Sequence, residues 1–482
     1  MSEKLRLQEP IRSPLETPRL ITPLPYRSGT SFLAWAIVNN NQPVPDVFSK
    51  MTKIAASGRL GLFYADNVTY LASEWRPGTA FMRAWEFNGW KQESMSWKTG
   101  CYIHAGLSGA NTVVYKGPDA GKLLESLCIN GFQKYPVGSL KHLVMLQEDG
   151  LIMSHAATAR VAEDEYHMFA GGAWPRMKLQ EPAYSHLKVE TEIRKNYLFQ
   201  VAGPKSLALL EKLTGENLRD LKFMHYLDTE IEGIAVRVAR LSMSGNLGYE
   251  LHGPLEEGPK IYDIVYRAGT GPEFGLERLG WKTYRVNHVE GGFPQSSVTF
   301  ANPGFENIPH YVVSGSVDPN DARARMRTAY EARWHKMARF DHDFLGRAAL
   351  EAEIAAPRRT TVMLRWNPED IIDTYASMFQ PGEEYKMIDF PVAPDNPARA
   401  HADHVLLNGK RVGWSSGTTY SYYFREVISM ACVDLDVTDI GTEVVVQWGD
   451  FGGRIKDIRA TVERFPYLTD LRNNETEVKT LA

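Results

Sequence analysis

Several side chains along this 482-residue chain have the type and setting for chemistry. Glu250 sits in LGYELHG. A carboxylate there can accept two neighbouring N–H donors from one ligand edge, whereas the common fate of a strand glutamate is a solvated face. Gln200 precedes VAGP and brings an amide that donates and accepts at once; taken in isolation it reads as surface. Tyr284, in GWKTYRVN, carries a phenol O–H that can hydrogen-bond a developing negative charge, or can be a core hydroxyl with an internal partner. Phe293 follows Gly291-Gly292. Those glycines let the chain turn tightly or approach a ligand closely, and the ring suits core packing equally well. His155, in LIMSHAA, can act as acid, base or donor, although a lone strand histidine is more often structural. His104 and Trp174 are further aromatic candidates, while His142 and His288 belong to no motif.

An internal repeat positions these residues. VVYKGPDAGKLLESL, 113–127, matches FQVAGPKSLALLEKL, 199–213. Gly117-Pro118 corresponds to Gly203-Pro204, and Leu123, Leu124, Glu125 and Leu127 to Leu209, Leu210, Glu211 and Leu213. Each copy is an apolar run, a turn and then a helix. Ala120, Leu123, Leu124 and Leu127 fall on one face of the first. Strand pairs follow: HLVML and LIMSH around Glu148-Asp149-Gly150, then IAVRVARL and LGYELHG around Ser244-Gly245-Asn246. The pattern predicts two related α+β units with a small-molecule cleft between them. From about residue 358 short β-type runs and Asn408-Gly409, a hairpin turn, predict a barrel or sandwich, with DHDFLGRAALEAE, 341–353, as a capped helix before it. Seven prolines between Pro10 and Pro45 mark residues 1–48 as an extension that wraps or moves.

Composition narrows the function. A net charge of −4 offers no field to gather phosphates, which excludes a primary nucleic-acid role. No apolar run is long enough to span a membrane, and the start carries no secretory signal. Three dispersed cysteines fit a reducing cytoplasm. The 13 histidines form no HExxH or similar metal motif, and no dinucleotide or phosphate loop occurs.

The order GPDAGKLLESL, GPKSLALLEKL, LGYELHGP, DFLGRAAL and a terminal β region, over about residues 90–465, resembles the T-protein (aminomethyltransferase) of the glycine cleavage system. WKQESMSWKTGC, RFDHDFLGRAAL and VMLRWNPEDIIDTYASMF are similar to the tetrahydrofolate-dependent aryl methyl ether O-demethylases of the vanillate and syringate type. The resemblance implies an α+β, T-protein-like three-domain cloverleaf. It has two related ferredoxin-like α+β domains, a C-terminal β-barrel and tetrahydrofolate in a central channel. The implied boundaries are the extension 1–48, then 49–190, 191–340 and 341–482. It further implies that Glu250 and Gln200 hold the pterin edge and that Phe293 stacks on it, where the demethylases have Trp. Tyr284 would assist departure of a phenoxide. His155 would stand where relatives have Asp, and His104 and Trp174 would line the substrate pocket.

Two departures from the family pattern matter. Ala105 and Gly109 replace an Asp and a His of the T-proteins, and Gly171 and Gly172 stand where the vanillate-type enzymes hold a carboxylate with Arg. Aminomethyl transfer and a carboxylated aromatic held in that way are therefore disfavoured. The expected reaction is O-demethylation of a methoxylated aromatic, with the methyl passing to folate N5 and no metal required. The rivals are demethylation of a sulfonium or N-methyl donor and folate binding without turnover.

Overall fold

The computed structural model describes residues 72–75, 82–105, 111–169, 171–296, 298–304, 312–393 and 399–481. The proline-rich extension 1–48 and Gly109 lie outside them. Each repeat copy opens on a strand that ends in the Gly-Pro turn. Asn111–Lys116 leads into the helix Ala120–Leu127, and Glu190–Ala202 into the helix Ser206–Thr214. Gly117 and Gly203 both have φ +125°. A Cβ would lie 2.5 Å from the Lys188 carbonyl at the first and 2.6 Å from the Gly100 carbonyl at the second, so only glycine fits. The helix then begins the same way twice, Ala120 N donating to Gly117 O (2.9 Å) and Ser206 N to Gly203 O (3.0 Å). Leu123, Leu124 and Leu127 are fully buried on one face. Each contributes about 1.5–3 kcal/mol of hydrophobic stabilisation.

Strands Ser139–Leu146, Ile152–Ala162 and Glu165–Phe169 follow the first helix; Tyr226–Ile231, Ile234–Ala239 and Gly248–Pro254 follow the second. In each unit the last strand returns beside the first. The two strand pairs legible in the sequence are therefore not counterparts. The first is the opening hairpin of its unit and the second the closing pair of the other. Glu165–Phe169 and Tyr226–Ile231 escaped because EYHMF is short and YLDTEI is a half-exposed edge strand rich in polar residues.

One ten-stranded sheet runs through both units. The 13-residue strand Glu190–Ala202 joins them, its first half pairing with Asn111–Lys116 and its second with Gly248–Pro254. Cys101–His104 pairs with Gln200–Ala202 on the other edge. Side chains alternate across this sheet. Ile103, Phe199, Val201, Tyr249 and Leu251 pack outward with Leu209, Leu210, Ile261 and Val265 of the covering helices. Glu250, Gln200 and His104 occupy the opposite face.

Six strands close a barrel: Lys410–Ser421, Asp403–Leu407, Glu443–Trp448, Lys456–Glu463, Arg359–Trp366 and Glu426–Asp434, the last pairing back to the first. Asn408 and Gly409 both have positive φ, 51° and 74°, as a two-residue hairpin turn requires. The expected helix of 341–353 begins only at Arg347 and ends at Ala355. Gly346 precedes it in the left-handed region, and no side chain caps it. Leu345 N donates to Ser126 O (2.9 Å), and a Cβ on Gly346 would meet Gln147 O at 2.3 Å. This helix packs on the first α+β unit, with Leu350 among Ile129, Val144 and Ile152.

At the centre lies the helix Trp281–Glu290, with every residue except Lys282 buried although five of them are polar or charged. Helix Trp90–Thr99 and the barrel enclose it. Glu290 fastens all three. It takes Trp97 Nε1 at 3.1 Å and Ser421 Oγ at 2.6 Å and pairs with the buried Lys98.

Candidate active site

Register brings three of the candidate residues into a row. His104 lies directly opposite Gln200, and Gln200 directly opposite Glu250. Adjacent strands stand about 4.8 Å apart, so the three side chains are neighbours on the inward face. Gln200 Nε2 donates to Glu250 Oε1 at 3.2 Å, and His252 Nε2 meets Glu250 Oε2 at 2.9 Å. A carboxylate only accepts, so the Gln200 amide must turn its NH2 toward Glu250 and its oxygen away. That oxygen is buried without a partner, as is His252 Nδ1. Leaving a buried polar atom unpaired costs about 1–3 kcal/mol, which a ligand donor would relieve.

A line of rings leads from this row toward the first unit. His104 stacks on Tyr284 with centroids 4.1 Å apart and planes 13° from parallel, and its Nδ1 donates to Leu279 O at 2.8 Å. Trp281 also stacks on Tyr284, at 4.9 Å, and lies 6.2 Å from His104. One helical turn on, His288 lies 4.2 Å from the Tyr284 ring and bonds to the Tyr284 carbonyl through Nδ1 at 2.9 Å. Phe293 is 6.0 Å from His288 and 5.5 Å from His142. His142 Nε2 meets His155 Nδ1 at 3.0 Å, and Trp334 stands 4.8 Å from both of these imidazoles.

Burial makes these imidazoles poor bases. It pushes His142 and His288 down to about 4. His155 lies well below the usual range through burial, reinforced by His142 and His288. All three are neutral at pH 7.

The structure thus brings together His104, Gln200, Glu250, Tyr284, Phe293 and His155, but not Trp174. The helix Ala173–Lys178 carries Trp174 against the core of the first unit, with Lys178 Nζ 4.6 Å from its ring centroid. The turn before Trp174 is tightly packed. A Cβ on Gly171 would lie 2.6 Å from Ala156 Cβ, and one on Gly172 2.6 Å from Val113 Cβ. The loop lies flat on the sheet there, with no room for a longer side chain. His155 is also less free than a catalytic acid must be, since Ser296 N donates to its Nε2 at 3.3 Å while Nδ1 holds His142. Sequence reasoning missed His142, His252, His288 and Trp334. His252 was within reach, because it lies two residues beyond Glu250 on the same strand face.

Comparison with known proteins defines the class. The GCVT N-terminal domain matches residues 64–298. The chain is similar to a sesamin methylene transferase from Sinomonas sp. (strain No.22), 35% identical over 425 residues covering 82% of this chain and 92% of that one. It is similar also to a syringate O-demethylase from Sphingobium sp. (strain NBRC 103272 / SYK-6), 28% identical over 419 residues, 79% of this chain and 89% of that one. The chain belongs to the GCVT family. Its fold is that of the crystallised glycine cleavage system aminomethyltransferase T from Bartonella henselae, with a TM-score of 0.62 at 16% identity, covering 83% of this chain and 95% of that one.

The cofactor of this family is tetrahydrofolate, and the residues present fit it. The Glu250 carboxylate and the unpaired Gln200 oxygen are acceptors side by side, as the N–H-rich edge of a pterin needs.

Proposed function

We propose that this chain transfers a methyl group from a methoxylated aromatic compound to tetrahydrofolate, leaving a phenol. When bound, tetrahydrofolate supplies the nitrogen that accepts the one-carbon unit. Glu250 and Gln200 orient the pterin edge, and Phe293 packs against it. Tyr284 donates its O–H to the ether oxygen, where negative charge gathers as the C–O bond stretches. A donor of that kind binds the transition state more tightly than the ground state. His104, stacked on Tyr284, holds the phenol ring in place. The carrying observation is this fully buried Tyr284, stacked on His104, which itself lies directly opposite Gln200 of the Gln200–Glu250 pair. A sulfonium or quaternary donor would call for a cation-binding site. Neutral rings also bind cations, so the preference for an uncharged ether rests on the Tyr284 O–H, a donor suited to a developing phenoxide.

A second reading is transfer of a methylene unit from a methylenedioxy-substituted aromatic, favoured by the 35% identity to the sesamin methylene transferase. The test is incubation with tetrahydrofolate and a panel of methoxyphenols, a methylenedioxybenzene, a sulfonium compound and an N-methyl compound. Mass spectrometry then follows the released phenol and the one-carbon folate. Methoxyphenol turnover with one methylated folate per phenol is the expected result. Turnover of the methylenedioxy compound alone would replace the first reading with the second. No folate product from any donor would refute both.

A further inference from the structure

The His142–His155 pair has a direction built into it. A backbone N–H can only donate, so the bond from Ser296 N to His155 Nε2 (3.3 Å) leaves that nitrogen without a proton. The proton of neutral His155 must then sit on Nδ1, where it donates to His142 Nε2 at 3.0 Å. That bond fills the Nε2 acceptor of His142 and forces its own proton onto Nδ1. His142 Nδ1 has no hydrogen-bond partner among the described residues. The ring planes are fixed as well. Trp334 stands edge-on to His142 at 88°, Phe293 lies 5.5 Å away, and Phe300 is 6.1 Å from His155.

His142 also faces the right way. Leu140, His142 and Val144 share one side of their strand, and Leu140 packs with Leu198 and Ala239, the inward face of the second unit. Leu198 and Gln200 alternate onto that same face. The first unit thus turns His142 toward the compartment that carries the Glu250 row, with Phe293 between.

We propose that His142 is a specificity-determining hydrogen-bond donor, its Nδ1–H aimed at an oxygen of the bound aromatic, and that His155 and Ser296 are positioning residues that fix this tautomer. The class of ligand, an uncharged oxygen-substituted arene, rests on the function proposed above; the tautomer does not. A locked neutral N–H suits an ether or phenol oxygen. It gives a carboxylate no countercharge, in line with the packed glycines at 171 and 172.

The test uses the full chain with 15N-labelled histidine and long-range proton–nitrogen correlation spectra near pH 7. The His142 signal is identified by its loss in His142→Gln, and 2-methoxyphenol is added without folate. The expected result is a neutral His142 protonated at Nδ1, with that nitrogen shifting on titration. His155→Gln keeps an acceptor for Ser296 and a donor for His142, so it should preserve the tautomer and the KM for the methoxyarene. His155→Phe should scramble the tautomer and raise KM about tenfold, the scale of one hydrogen bond. A His142 proton on Nε2, a signal unmoved by saturating 2-methoxyphenol, or identical behaviour of the two His155 variants would overturn the proposal. If the tautomer and the shift appear but no aryl ether yields a one-carbon folate, the donor stands and the proposed reaction falls.

Discussion

Replacing Glu250 by glutamine removes the charge and keeps the shape. In the folded chain its two oxygens already accept Gln200 Nε2 at 3.2 Å and meet His252 Nε2 at 2.9 Å. A glutamine offers one oxygen and one NH2, so it cannot accept on both sides. One neighbour then faces a donor, at a stability cost of about 1 kcal/mol for the lost hydrogen bond. Binding suffers more. A pterin edge held by a carboxylate gains charge-assisted bonds worth about 1.5–3 kcal/mol, so Glu250→Gln should weaken tetrahydrofolate by roughly 10- to 150-fold. Titration calorimetry on wild type and variant measures this, and a urea melt on both separates lost affinity from lost fold. An affinity within twofold of wild type would refute the assignment of Glu250 to the folate edge.

Tyr284→Phe keeps the stack on His104 and Trp281 and removes one O–H. Turnover of the methoxyarene should fall about 10²–10³-fold with folate affinity unchanged, measured by steady-state kinetics and calorimetry. Glu290→Ala strands the buried Lys98 and unties Trp97 and Ser421. Urea unfolding should show a loss of about 3–5 kcal/mol, the scale for breaking a buried pair from one side. For pH, His288 titrates near 4 in the folded chain against an ordinary 6.5. Between those values the unfolded chain binds a proton the folded chain refuses, so stability falls as pH drops from about 6.5 to about 4, by about 3 kcal/mol for this residue. His288→Gln should flatten that part of the urea-stability profile, and an unchanged slope would show that His288 is not held neutral.

The repeat was legible because its turn tolerates only glycine: the same φ at Gly117 and Gly203, and the same close carbonyl beneath, leave the same letters in both copies. Glu250 and Gln200 could be singled out through the motifs around them. That they lie opposite each other, and opposite His104, depends on strand register, which no local spacing encodes. His288 and Glu290 were hidden for another reason. A helix reading WKTYRVNHVE has no apolar face, so its burial between two α+β units and a barrel shows only in tertiary structure. His142 has nothing beside it in sequence to mark it; its significance comes from His155 on the neighbouring strand.

The most direct measurement is a single turnover of 2-(trideuteromethoxy)phenol with the full chain and excess tetrahydrofolate, followed by mass spectrometry of the folate. Methyl transfer should deliver all three deuterons to the folate, with one catechol released per labelled methylfolate. A folate product with fewer deuterons, or catechol released without labelled folate, would contradict transfer of an intact methyl group from an aryl ether.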